Sequence, residues 1–300
     1  MCPSLTGGPF NILAPREVNR AGIDFVKSRR AQLAGLVTGG LIMVKLAANL
    51  SFMFTEVAFL DRFGAAAEAG FKAVEFLFPY EWPAEELQRR LAAHGLTQAL
   101  FNLPPGDWAK GERGLAAIPG REAEFEAAVR TGLAYAKALG CRTVHAMPGL
   151  RHHGTDRRTY VANLRKAATM AAVDGVAVVI EPINQRDIPG FFLSTTAEAR
   201  AIIHEVGAPN LGLQFDIYHR AIQEGDVSMA IREFGHLAHH YQIANPPDRG
   251  EPDAGELDFR HIFKEIAATG YAGFVGCEYK PRAITEAGLA WIGRCGLSLG

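Results

Sequence analysis

From Lys45 onward the chain alternates between two hydrophobic patterns. Short apolar runs are followed by longer stretches whose apolar positions recur at helical spacing. Eight of the short runs read as strands: Lys45–Ser51, Ala73–Phe78, Gln98–Asn102, Thr143–Met147, Ala177–Glu181, Gly212–Asp216, His240–Ala244 and Phe274–Glu278. Between them, Glu56 to Ala69 gathers Val57, Phe59, Leu60 and Phe63 on one side and stops at Gly70. Pro83 suits a first helical position, with Leu87 and Leu91 four apart behind it. Arg121 to Leu139 is closed by Gly140, and Asp156 to Asp174 by Gly175. Thr196 is placed to cap a helix ending near Gly207, and Asp226, Asp258 and Thr285 open the last three.

Eight strand–helix units in about 250 residues are the dimensions of an α/β (β/α)8 TIM barrel. A doubly wound nucleotide-binding sheet should instead carry a glycine-rich turn after its first strand. Here that turn is Ser51-Phe52-Met53-Phe54-Thr55, and neither phosphate-binding glycine motif occurs anywhere. Residues 1–42 break the pattern. They show no sustained apolar period before Phe25, and Arg16, Arg20, Lys27, Arg29 and Arg30 outnumber Glu17 and Asp24. They read as a poorly ordered or loosely packed N-terminal extension, or an over-extended start, with Met43 opening a barrel domain over 43–300.

Composition narrows the class. The 300 residues are 48% hydrophobic, and 31 basic against 32 acidic side chains leave a net charge of -1. A dedicated nucleic-acid binder would carry a basic excess. The most apolar early stretch, Leu33 to Leu50, is broken by Gly35, Gly39, Gly40 and Lys45, so neither a membrane span nor a secretory leader is expected. Cys2, Cys141, Cys277 and Cys295 form no Cys-x-x-Cys pair, which points to a reducing, cytoplasmic setting.

In a barrel the active site lies at the C-terminal strand ends, and there this chain places polar residues: Glu75, Asn102, His145, Glu181, Asp216, Gln242 and Glu278. A carboxylate closing an apolar strand is costly unless it is paired or metal-bound. Glu181, Asp216 and Glu278 on one rim imply a shared partner. Hard oxygen donors, with the Gln242 carbonyl as a fourth, suit Mg²⁺ or Mn²⁺. Arg249 and Lys280 are candidates for a substrate carboxylate, Arg through its forked donors. Arg113 reads as a loop cap or lid. Of His239 and His240 only one can face inward, since neighbours in a strand point to opposite sides. Phe52 and Trp108 could wall a pocket.

These residues carry a family resemblance. The stretches that carry it are Ala47-Ala48-Asn49-Leu50-Ser51, Val74 to Tyr80, Asn102 to Trp108, Gly111-Glu112-Arg113-Gly114 and Pro119-Gly120-Arg121-Glu122. They continue with Glu181-Pro182-Ile183-Asn184, Asp187 to Phe191, Asp216-Ile217-Tyr218-His219, Gln242-Ile243-Ala244, Arg249-Gly250-Glu251-Pro252, Gly255-Glu256 and Glu278-Tyr279-Lys280-Pro281. In that order, from Lys45 to Trp291, the chain resembles the hydroxypyruvate isomerase family, within the xylose isomerase-like TIM barrels and close to the 2-oxo-tetronate isomerases. The resemblance implies metal ligation by Glu181, Asp216, Gln242 and Glu278, and proton transfer by Glu181 and Glu278. It also implies that His219, on the loop after Asp216, bonds the reacting oxygen. The activity it implies is interconversion of hydroxypyruvate and tartronate semialdehyde through an enediolate, or the same reaction on a 2-oxo-tetronate. The expected partner is a small hydroxy-oxo acid, not nucleic acid or membrane; homo-oligomer formation is left open. A metal-dependent endonuclease, a sugar epimerase and a non-catalytic binding protein are the competing functions. The net charge of -1 and Gln242 in place of a histidine speak against the first two.

Overall fold

The computed structural model describes residues 44–299, so the extension expected over 1–42 lies outside the described residues. Eight parallel strands run in chain order: β1 (Lys45–Asn49), β2 (Ala73–Glu75), β3 (Thr97–Asn102), β4 (Thr143–His145), β5 (Ala177–Ile180), β6 (Leu211–Asp216), β7 (Ala238–Ile243) and β8 (Phe274–Cys277). Each pairs with the next, and β8 pairs with β1, from Lys45 opposite Phe274 to Ala48 opposite Cys277, closing a TIM barrel. The helices between and after them are α1 (Arg62–Glu68), α2 (Ala84–His94), α3 (Glu122–Leu139), α4 (Arg157–Ala172), α5 (Thr196–Val206), α6 (Ile217–Gln223), α7 (Val227–Phe234), α8 (Phe259–Ala268), α9 (Thr285–Gly288) and α10 (Trp291–Arg294). All eight expected strands are present. No helix among the described residues is long and apolar enough to cross a membrane.

Local chemistry sets most boundaries. Asp156 accepts from the Thr159 amide to start α4, and Thr195 and Glu198 form a capping box at α5. Thr195 therefore caps this helix, not Thr196, whose hydroxyl and amide bond Glu224. The helix expected from Glu56 begins only at Arg62, behind a single 3₁₀ turn at Phe59–Asp61. The Glu56 carboxylate is drawn to Thr285 instead of serving its own segment, and Phe59 stacks on Trp82 with ring centroids 4.2 Å apart.

The strands are covered outside by helices and filled inside by side chains, so β6 has no exposed position. Two glycines make room where large groups cross. A Cβ on Gly212 would meet the His239 ring at 2.3 Å, and a Cβ on Gly276 would meet both Glu75 carboxylate oxygens at 2.2 Å. Thus His240 faces the interior and His239 packs on the other side of β7, as alternation requires.

Candidate active site

Three strands deliver carboxylates to one point. Glu181 follows β5, Asp216 ends β6 and Glu278 follows β8. With His219 they bring one donor atom each within 4.8 Å of one another. All four side chains are buried. His219 is not on a loop, as expected, but in the first turn of α6. The reason is local: Asp216 Oδ1 accepts from the amides of Tyr218 (2.7 Å) and His219 (3.3 Å), which caps a helix directly on the strand end.

Buried like charges so close are unfavourable, and the site shows the strain. Burial pushes Glu181 well above the usual carboxylate range, and the charges of Glu278 and Asp216 add to it. Burial likewise pushes Glu278 up to about 8, against the pull of Arg249. Asp216 is raised by burial, with Arg249 and the two cap amides holding it back. Arg249 is the local counter-charge: its Nη2 lies 2.6 Å from Glu278 Oε2 and 3.8 Å from Asp216 Oδ2. It does not complete the balance. Glu181 Oε1 and Asp216 Oδ2 remain buried with no hydrogen-bond partner among the described residues. Two unpartnered carboxylate oxygens in a three-acid cluster fit a divalent cation, since such a group left unsatisfied costs several kcal/mol.

Arg249 is held firmly. Its φ of 57° is left-handed, a conformation that costs a non-glycine residue about 1–3 kcal/mol. Asn245 and Gly250 clamp its loop through paired backbone bonds, and the Lys280 amide donates to the Arg249 carbonyl at 2.7 Å. Its guanidinium lies between the rings of Phe52 and Tyr218, 5.0 Å from each centroid. Expected as a substrate-carboxylate contact, Arg249 instead spends its donors on Glu278 and Asp187. Lys280 is exposed. Both residues line a cleft of about 530 Å³ beside the cluster, with Phe52, Arg186, Asp187 and Tyr218 among its walls.

Below the cluster lies a buried polar layer. Glu75 accepts from Asn49 Nδ2 (2.9 Å) and Gln242 Nε2 (2.8 Å) and pairs with His240 Nε2 (2.6 Å). Asn49 Nδ2 also reaches Glu278 Oε1 at 3.3 Å. Glu75, expected at the substrate, thus directs its carboxylate to neighbouring side chains and is fully buried. Gln242 lies in register with Asp216; its carbonyl accepts from Gln214 at 2.6 Å and keeps a second lone pair. His145 contacts Asn102 Oδ1 at 3.3 Å and lies 3.6 Å from Glu181 Oε2. Burial drives its pKa down to about 3, so it is neutral and this contact is no ion pair. Trp108 lies outside the lining of this cleft, with Arg113 stacked 3.8 Å over its ring. Asn49, Asn184, Gln214 and Arg186 drew no role from the sequence. A polar residue at an inward position of an otherwise apolar strand is the signal that marks Asn49 and Gln214.

Similarity to known proteins identifies the family. The profile of the xylose isomerase-like TIM barrels matches residues 63–295, and the chain belongs to that family. It is 55% identical over 254 residues to a 2-oxo-tetronate isomerase of Cupriavidus necator, covering 83% of this chain and 98% of the relative. It is 46% identical to the hydroxypyruvate isomerase of Escherichia coli, with the same coverage. A solved Brucella melitensis protein, described as an AP endonuclease, family 2, superposes with a TM-score of 0.82 at 50% identity, over 84% of this chain and 99% of that one. An L-ribulose 3-epimerase at 24% identity and TM-score 0.66 shares the fold. The chain is an isomerase of this family.

Proposed function

We propose that the protein is a divalent-metal-dependent isomerase of short 2-oxo acids with a hydroxyl at C3, acting on 2-oxo-tetronate in preference to hydroxypyruvate. The observation that carries it is the convergence of three buried carboxylates, two of them with unpartnered oxygens, in a chain 55% identical to a 2-oxo-tetronate isomerase. The hydroxypyruvate reading rests on the 46% identity to the Escherichia coli enzyme.

Glu181, Asp216 and Glu278, with the Gln242 carbonyl, would hold Mg²⁺ or Mn²⁺. The chemistry supplied by a cation bound there is stabilisation of negative charge on the substrate oxygens. The reaction moves one proton from C3 to C2 and the hydroxyl proton from O3 to O2, through an enediolate, so the two carbons exchange carbonyl and hydroxyl. One carboxylate of Glu181 and Glu278 removes the C3 proton, and the other returns a proton to C2. His219 bonds the reacting oxygen, and His145, in contact with Asn102, sits beside Glu181. Lys280, with Arg186 across the cleft, meets the C1 carboxylate common to both substrates. Arg249 holds Glu278 in place from the side.

The test is steady-state kcat/KM for both acids, with metal content measured on the same sample. Turnover should vanish on chelation, return with Mg²⁺ or Mn²⁺, and be higher on the four-carbon acid. Full turnover in metal-stripped protein would remove the metal from the reading. A tenfold preference for hydroxypyruvate would reverse the substrate order.

A further inference from the structure

His219 has two ring nitrogens with different surroundings. Nδ1 faces Asn184: the Asn184 side-chain nitrogen lies 2.6 Å away, and the Asn184 backbone amide lies 3.5 Å away. Nε2 faces the acids, 3.8 Å from Glu181 Oε1 and 3.7 Å from Asp216 Oδ2. The orientation of the Asn184 amide is not free. Its Oδ1 accepts from the backbone amide of Asp187 at 2.8 Å, and a backbone N–H can only donate. The opposite end, the NH₂ group, must therefore face His219. Nδ1 then meets donors only and must be the bare, accepting nitrogen. In a neutral imidazole the hydrogen is consequently on Nε2.

We infer that Asn184 is a positioning residue that fixes His219 in the Nε2–H tautomer, so that His219 enters the site as a hydrogen-bond donor and not as a metal ligand. A ligating nitrogen needs its lone pair, which this tautomer withholds on the side facing the acids. The inference rests on the proposed isomerase reading for its kinetic consequence, though not for the tautomer. It leaves the fourth ligand position to the Gln242 carbonyl. It also gives the Glu-Pro-Ile-Asn run after β5 two tasks: Glu181 supplies the acid, and Asn184 sets the donor opposite it. An Nε2–H aimed among the carboxylates is placed to stabilise an oxygen that gains charge in the enediolate.

Two measurements test it on the full chain. The first is ¹⁵N NMR of histidine-labelled protein, with the His219 signals assigned by comparison with His219→Asn. The expected pattern is a protonated Nε2 and a bare Nδ1, with and without Mg²⁺. Asn184→Asp presents acceptors to Nδ1, and should move the proton to Nδ1. It should lower kcat on the order of 10²-fold, as removal of a charge-stabilising donor does, with KM changed much less. Asn184→Leu adds no charge and guards against misfolding of the Asp variant. It should yield a mixed tautomer and an intermediate loss of kcat. The second measurement is electron spin-echo spectroscopy of the Mn²⁺ form, in which no imidazole nitrogen coupling from His219 should appear. A proton on Nδ1 in the wild type, a directly coordinated His219 nitrogen, or an Asn184→Leu variant with wild-type kcat would each overturn the inference. Failure of Mn²⁺ to bind would instead strike the metal reading, while the tautomer pattern in metal-free protein still decides the assignment.

Discussion

Glu181 and Glu278 bear opposite demands, since burial makes them poor anions and the proposed chemistry needs them as bases. Glu181→Gln and Glu278→Gln keep shape and one oxygen while removing a charge. Each should lower kcat by about 10²–10⁴-fold, the usual contribution of a general acid or base. Because Glu181→Gln also relieves repulsion among three buried acids, the thermal midpoint of that metal-free variant should not fall below wild type, whereas Glu278→Gln also loses the pair with Arg249 and should melt lower. Exchange of solvent deuterium into C3 separates the two roles; a variant with wild-type exchange and turnover would make that glutamate structural. Gly276 is sensitive for a steric reason. Its missing Cβ is where the Glu75 carboxylate crosses β8, at 2.2 Å. Gly276→Ala must displace Glu75 and should cost about 1–3 kcal/mol, as overpacking does, measured by urea unfolding. Turnover should fall with it, because Glu75 tethers Asn49 and Gln242.

The junction of β6 and α6 joins two functions in one carboxylate. Asp216 Oδ1 caps the helix, while Oδ2 is unpartnered and faces the acids. Asp216→Asn can keep the cap acceptor and loses the charge. The fold should hold, and Mn²⁺ affinity measured by titration calorimetry should fall at least tenfold. Asp216→Ala loses both, and should unfold about 1 kcal/mol more easily than the Asn variant, the typical worth of an N-cap. Equal stability of the two would mean that the cap contributes nothing. The loop after β7 makes a comparable junction. Strain at Arg249 is tolerated because backbone bonds on both sides fix the loop, and the result is a guanidinium beside Glu278.

The barrel closes between β1 and β8 within residues 44–299, and the relatives align over 98% of their own length while covering 83% of this chain. All eight strands of the barrel lie within the described residues. Removal of residues 1–42 should leave kcat/KM and the thermal midpoint nearly unchanged. A large loss of either would assign the extension a packing or assembly role. The closed sheet also explains why acids remote in sequence can cooperate: Glu181 and Glu278 are held by strands whose spacing is set by backbone hydrogen bonds, not by the acids' own attraction.

Eight strands, their order and the acids at their ends could be read from the chain, because strand periodicity and turn residues are local signals. A (β/α)8 barrel is the architecture that eight successive strand–helix units of this length most readily build, and that fold alone sends Glu181, Asp216 and Glu278 to one rim. Direction and partnership were not local. Arg249 looked free for a substrate, yet the fold turns it onto Glu278. Glu75 looked like part of the rim, yet the gap at Gly276 lets its carboxylate cross to Gln242 and His240. His219 looked like a loop residue until the Asp216 cap made a helix of its segment. Asn184 belongs to the Glu181-Pro182-Ile183-Asn184 run, but its role was not legible there, since it depends on a histidine 35 positions away. Sequence patterns report which residues are buried and on which element. Which donor meets which acceptor is decided only when the strands close and each buried polar group must find a partner.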